Sequence, residues 1–440
     1  MLLLASVAGD ARAQEPPGWR AGVANARITP QTSLWMAGYA SRKKPSEGVA
    51  LDLNAKCLAL DDGSGSHLVI VTLDLIGVPR DLRDAIERHA RQKWDLPSAA
   101  LLMNASHTHC GPELRPDRLD GSAAGDEERK AGGAYYEGLK ATLCGLIDRA
   151  IGALAPAKLE FFHARAGFAM NRRRPTEKGY INAPYPDGPV DHAVPVLRVS
   201  GADGSPRALL FGYACHNTTL NYFKFCGDYA GFAQRDIEAA HPGVTALFAI
   251  GCGADQNPYP RGTEEQAQQH GRALANGVEA ALLTVPKPIR GPLKIGLKEI
   301  SLDFAPAPSR AELEKIAIES KDPDRGHARR LLQELDREGK IRSTYPYLVQ
   351  VIRFDDDLTV VALAGEVVVD YSLRLKRELA GPAVWLMGYS NDVFGYVPSV
   401  RVLKEGGYEA GGAMHYTSLP GPFAESIEEK IIAAVHELAR

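Results

Sequence analysis

The 440-residue chain lacks a strong charge of either sign, with 51 Lys and Arg against 54 Asp and Glu and a formal net charge of −3. Without a positive field or a run of like charge there is no electrostatic basis for holding a nucleic-acid backbone, and nucleic acid is excluded as a partner. Long apolar runs are also missing. The longest, Leu68 to Val78, contains Thr72 and Asp74 and is far shorter than the ~18 residues of a membrane-spanning helix. The six cysteines (Cys57, Cys110, Cys144, Cys215, Cys226, Cys252) form no C-x-x-C pair, which argues against a structural zinc ribbon. No G-x-G-x-x-G leads from a strand into a helix and no Walker-type loop is present, so a dinucleotide or nucleotide phosphate has no cradle. There is no fixed-period repeat. Hydrophobic residues at 45% and charged residues at 24% describe a globular protein large enough to bury a core without disulfide support.

The first residues, Met1 to Ala13, form a short apolar stretch ending in Ala11-Arg12-Ala13. That pattern fits the apolar segment and cleavage site of a secretory signal without its basic start. We expect a clipped signal peptide over residues 1–13, one catalytic unit over 14–440, and an exported protein. Cys215 and Cys226 flank a short loop and are the first choice for a bridge. Small buried apolar thiols are the equally consistent alternative.

Apolar runs alternate with helical periodicity. Strands are expected at 68–75, 99–103, 209–215, 244–250, 293–302, 347–354, 358–364 and 383–388. Helices are expected at 80–94, 131–154, 230–240, 264–283, 309–320, 326–339, 369–380 and 424–439. Val285-Pro286-Lys287-Pro288 marks either a domain boundary or a loop between lobes. This alternation predicts an α/β fold: a single large domain with a mixed β-sheet core covered by helices.

Polar clusters repeatedly follow the apolar strands, where a rigid sheet delivers side chains to one rim. His107 and His109 lie at i, i+2 in Ser106-His107-Thr108-His109-Cys110-Gly111-Pro112 and can converge on one metal. His216 follows the strand at 209–215. Gly251-Cys252-Gly253-Ala254-Asp255-Gln256-Asn257 follows the next strand, Glu366 follows another, and Tyr396 and Tyr408 lie beyond the strand at 383–388. Two histidines, a glutamate and a tyrosine make a mixed N/O set suited to Zn2+ with room for water. A zinc-activated water and a polarised carbonyl would make the chain a metal-dependent hydrolase, the metal site sitting at strand ends.

Together these segments resemble the neutral (non-lysosomal) ceramidases, over most of residues 20–425. Ala21-Gly22-Val23 to Ile28-Thr29-Pro30, Met36-Ala37-Gly38-Tyr39 and Val71-Thr72-Leu73-Asp74 are similar to segments of that family, and Ser106 to Pro112 is similar to its GTHTHSGP. The resemblance implies that His107, His216, Glu366 and Tyr396 hold zinc. It implies that His109 lies in the catalytic pocket and that Arg172, in Asn171-Arg172, faces the substrate. Tyr396 and Tyr408 repeat the family's twelve-residue separation, and Tyr408 is then placed near the reacting carbonyl. The family's serine in GDVSPN is replaced by Asn257, which cannot accept an acyl group but can hydrogen-bond a developing oxyanion. The family's C-terminal β-sandwich is not expected here.

The implied activity is hydrolysis of the N-acyl bond of a ceramide or sphingolipid-like lipid, with transient contact to a membrane surface. The alternatives are another amide or ester, such as an N-acyl sugar, and a binding protein that has lost catalysis on the same scaffold.

Overall fold

The computed structural model describes residues 18–115, 124–379, 381 and 383–440; the signal peptide expected over residues 1–13 lies outside them. Strands β1 (Arg20–Arg27), β2 (Asn54–Asp61) and β3 (His67–Leu73) pair antiparallel in the order β1-β2-β3. Helix α1 (Arg80–Trp94) then crosses over, burying Leu82, Ile86 and Ala90 at helical spacing, and β4 (Leu101–Ala105) returns parallel to β3. After α2 (Asp126–Gly152) come β5 (Ala155–Arg165), the hairpin β6 (Ala169–Thr176) and β7 (Gly179–Tyr185), then β8 (Ala193–Gly201) and β9 (Pro206–Tyr213). A second crossover, α3 (Asp228–Ala240), leads to β10 (Thr245–Ile250), parallel to β9. The main sheet runs β10-β9-β8-β5-β1-β2-β3-β4, so its parallel pairs are the two outer ones. Parallel neighbours need a crossover of a dozen or more residues, and both edges are built that way.

Strand β11 (Gln256–Pro258) adds to the β6–β7 hairpin, and α4 (Glu264–Leu282) follows. A second sheet then forms from β12 (Leu293–Asp303), β13 (Thr344–Phe354), β14 (Leu358–Leu363) and β15 (Val384–Met387), in that order. Helix α5 (Arg310–Glu319) and α6 (Asp324–Glu338) lie between β12 and β13. A third crossover, α7 (Val369–Glu378), makes β15 parallel to β14. Helix α8 (Val400–Glu405) and α9 (Ile427–Leu438) complete the chain.

The sheets stack face to face. Leu58, Ile70, Leu102, Leu210 and Leu247 of the first sheet share one core with Ile352, Phe354, Val360 and Trp385 of the second. Each such buried side chain contributes roughly 1.5–3 kcal/mol relative to exposure. The three crossover units therefore end at one rim. Asn104 ties that rim together: its carbonyl accepts from Ile250 N at 2.9 Å and its amide donates to Gly388 O at 2.8 Å, joining the ends of β4, β10 and β15.

The fold is the expected α/β architecture, a mixed sheet covered by helices. The expected elements appear, with α2 beginning at Asp126 rather than near 131. Strands β1, β2 and β5 to β8 have no counterpart among the expected elements. In β5, Lys158, Glu160 and His163 interrupt the apolar residues because one face meets solvent. In β2 the buried Lys56 reaches Glu238 at 2.6 Å and Ala246 O at 2.8 Å.

The Pro286–Pro288 connection contributes a strand: Lys287–Ile289 pairs with β5 as the ninth strand of the main sheet. One reading is corrected. The Cys215–Cys226 bridge does not form, and all six cysteines are free thiols. Cys215 packs beside Tyr213 and Tyr229, whereas Cys226 lies in a different core with Cys110 and Leu220.

Candidate metal centre

Each parallel strand pair of the main sheet delivers one histidine and the carbonyl that orients it. His107 follows β4, and its Nδ1 lies 2.6 Å from Ile76 O, in the loop after the neighbouring β3. His216 follows β9, and its Nδ1 lies 2.8 Å from Gly253 O, after the neighbouring β10. The second sheet supplies the other two groups in the same manner. Glu366–Val367 after β14 pairs in parallel with Tyr396–Val397 beyond β15, and Glu366 stands opposite Tyr396. His107 and Tyr389 adopt left-handed backbone (φ 59° and 49°), the kind of local strain that accumulates where side chains are aimed at a ligand.

A carbonyl only accepts, so the Nδ1 atoms of His107 and His216 carry the hydrogens and their Nε2 atoms present lone pairs. Burial, and then the charge of Arg172, pushes His216 down to about 3, so its ring is neutral. Both lone pairs face Glu366 Oε2, at 3.2 Å from His107 and 3.3 Å from His216. That buried carboxylate oxygen has no hydrogen-bond partner. Tyr396 Oη is 3.3 Å from His216 Nε2. The Tyr396 hydroxyl can donate to His216, but nothing among these groups donates to Glu366 Oε2, which a cation would satisfy, and histidines pinned through their other nitrogen to carbonyls are the usual support of metal ligands. The donor set of two imidazoles, a carboxylate and a phenol fits zinc.

His109 Nε2 lies 3.1 Å from His107 Nε2, so His107, His109 and His216 cluster together. Unlike the other two, His109 has no partner on Nδ1. Burial first, and then the neighbouring His107, pushes it well below its usual value. Its ring sits on Gly38, where φ is 98° and a Cβ would come within 2.5 Å of the imidazole, so only glycine fits there.

Behind Tyr396 lies a second cluster. Arg172 Nη2 donates to Tyr396 Oη at 2.9 Å, Nε to Glu409 at 2.7 Å and Nη1 to Asn257 Oδ1 at 3.1 Å. Arg173 Nη1 donates to the other oxygen of Glu409 at 2.6 Å. Burial opposes the charge of Arg172, but Tyr396 and Glu409 outweigh it and hold it well above its usual value.

The site opens into a cavity of about 820 Å3, lined by His107, His109, Glu366, Tyr396 and Tyr408. Its walls mix apolar Trp35, Met36, Leu114 and Met414 with Arg42, Glu113, Arg115 and Arg330. His216, Arg172 and Asn257 are not among the lining residues. Asn257 is fully buried; its side-chain carbonyl accepts from Arg172 Nη1, and its amide nitrogen lies 3.4 Å from Asn182 Oδ1 and from Tyr259 Oη. Several contributors escaped the sequence reading. Tyr389 Oη is 3.3 Å from His216 Nδ1, and its ring lies 4.5 Å from that of His107. Its place in a polar segment after β15 was the available signal. Backbone carbonyls at Ile76 and Gly253 leave none.

No protein-family model and no curated protein matches the chain. Among solved structures it is similar to neutral ceramidase from Pseudomonas aeruginosa, with a TM-score of 0.75 and 17% identity over 97% of this chain and 74% of that one. A ceramidase complexed with C2 matches with a TM-score of 0.74 and 15% identity, over 96% of this chain and 75% of that one. The chain thus has the fold of the neutral ceramidases. Among the described residues, no helix is long and apolar enough to cross a membrane.

Proposed function

We propose that this protein is a zinc-dependent amidohydrolase that cleaves the N-acyl bond of a ceramide or sphingolipid-like amide. The observation that carries this reading is the convergence of His107, His216, Glu366 and Tyr396 on one point at the wall of the cavity, with an orphaned carboxylate oxygen among them. Fold alone does not fix chemistry; these side chains supply the argument, and the likeness to ceramidases supplies the substrate class.

His107, His216, Glu366 and Tyr396 would hold the metal. Bound zinc supplies Lewis-acid polarisation of the carbonyl and lowers the pKa of water toward neutrality. His109, neutral and without a fixed Nδ1 partner, is free to accept a proton from the attacking water and return it to the leaving nitrogen. Tyr408 lines the cavity and donates its hydroxyl to the carbonyl oxygen as charge develops there. Arg172 acts from behind Tyr396, fixing the phenol and adding positive charge. Asn257 and Glu409 in turn hold Arg172. The apolar stretch Met1–Ala13 supports export from the cytoplasm.

The test is a metal analysis of purified protein together with release of fatty acid from ceramide, before and after chelation. One zinc per chain, loss of hydrolysis on chelation and recovery with Zn2+ are expected. Metal-free protein with undiminished hydrolysis would overturn the proposal.

A further inference from the structure

We propose that Arg42 is an anion-binding residue of the catalytic cavity, and that the amide substrate carries a carboxylate or phosphate on the part that lies beside His109. The inference deepens the function proposed above and rests on it for the reaction, though not for the binding.

Arg42 lines the cavity yet is only 7% exposed. Its Nη2 donates to His109 O at 2.8 Å, while Nε and Nη1 find no acceptor. The other buried arginines among the described residues each meet a carboxylate: Arg83 meets Glu87, and Arg172 and Arg173 meet Glu409. Arg42 has no such partner. The Cys110 thiol, in hydrogen-bonding reach of the guanidinium, is a weak acceptor and supplies no counter-charge, because burial holds it protonated, well above the usual range. The guanidinium is instead flanked by aromatic rings, Tyr39 at 5.2 Å and Phe223 at 5.5 Å. These faces favour a cation and fix its plane, but use none of its N–H bonds.

A guanidinium cannot shed its charge, and a buried, unpaired charge is costly to the fold. A fold that keeps one at the wall of a cavity, with N–H donors free, is arranged for an anion that arrives with a ligand. The position selects the part of the ligand. The loop carrying Arg42 also carries Gly38 and Tyr39, which pack directly on the His109 ring. An anion held there sits beside the proposed proton carrier, whereas the apolar wall of Trp35, Met36 and Leu114 remains for an acyl chain. A neutral ceramide leaves the Arg42 donors unanswered; an N-acyl amino acid or a phosphorylated N-acyl amine answers them.

The experiment is calorimetric binding to the metal-loaded protein, using matched pairs that differ in charge. One pair is N-octanoylglycine against N-octanoylglycinamide, and the other is N-octanoyl phosphoethanolamine against N-octanoylethanolamine. At least one anion is expected to bind about 10-fold or more tighter than its neutral partner, as charge-assisted hydrogen bonds imply. The pair that shows this separates a carboxylate from a phosphate substrate. Arg42→Met should erase the difference and Arg42→Lys retain part of it, which also separates this site from anion binding at the metal. If Arg42→Met fails to fold, Arg42→Gln takes its place, with the thermal midpoint as the folding check. Equal binding within both pairs, or a preference that survives Arg42→Met, would overturn the inference. Anion preference without hydrolysis of any amide sinks the proposed reaction and leaves Arg42's role standing; hydrolysis without anion preference does the reverse.

Discussion

Two polar clusters meet at Tyr396 and are built on opposite principles. Behind the phenol, Arg172, Arg173, Glu409 and Asn257 form a network in which the positive charges find Glu409 and every named donor finds an acceptor. In front of it, His107, His216 and Glu366 turn lone pairs toward one another, and Glu366 Oε2 has nothing to accept. The first cluster is complete within the chain and serves rigidity. The second is incomplete, and a cation among its lone pairs would complete it. A satisfied buried network specifies geometry, whereas an unsatisfied one marks the place where a ligand belongs.

Breaking the front cluster should have the largest effect. His107→Ala or His216→Ala is expected to abolish stoichiometric metal and to lower kcat by about a thousandfold or more, since several kcal/mol of transition-state stabilisation leave with the metal. Metal analysis and turnover of any accepted amide check this. The fold should survive, because neither ring carries core packing of the sheets.

Breaking the rear cluster should shift the balance from function to stability. Glu409→Gln leaves the buried Arg172 without a carboxylate and Arg173 with Glu405 alone, and destabilisation of about 3–5 kcal/mol is expected. Chemical denaturation measures that. Metal affinity or activity should fall about 10–100-fold through the loosened Tyr396, the usual penalty for losing an outer-shell partner. A variant that lost activity but no stability would contradict the division between the clusters.

Asn257→Ser is a finer probe. It removes one acceptor from Arg172 but spares Glu409, so a loss of roughly 0.5–1.5 kcal/mol in stability and less than about 10-fold in activity is expected. If Asn257 instead contacted the substrate, KM would move and stability would not.

A last probe of the rear cluster is a pH slope beneath it. Asp255, whose carbonyl accepts from Arg172 N at 2.8 Å, is pushed up to about 7 from an ordinary 3.8, chiefly by burial and then by Asp370. A carboxyl raised in the folded state binds protons more tightly there than when unfolded. Its stabilising contribution is therefore complete below about pH 3.8, lost as pH rises toward about 7, and flat above. Asp255→Asn should remove that slope, so thermal midpoints of variant and parent should diverge in the variant's favour between those limits.

Much of the front cluster was legible in the chain. His107, His216 and Glu366 each follow an apolar run, and a buried parallel strand is the kind of element that such runs announce. Tyr396 rested on its separation from Tyr408. Glu409 and Arg173 were visible only as neighbours of named residues, because ion pairing across the fold leaves no local pattern. Arg42 stood inside Ser41-Arg42-Lys43-Lys44, where it reads as one more solvated base. The antiparallel middle of the main sheet was missed because β5 alternates polar and apolar residues along a half-exposed strand. The unpaired state of Cys215 and Cys226 follows from their burial in separate cores, which spacing does not record.

The short pairing of Glu366–Val367 with Tyr396–Val397 also sets an order in time. During synthesis both histidines emerge well before the carboxylate and the phenol, and the latter two reach position only when the second sheet has stacked on the first. An unfinished chain thus offers a metal two nitrogens and no cage. Under the proposed function, tight metal uptake is a late event, and a retained ion certifies that the whole molecule, down to its last crossover, has assembled.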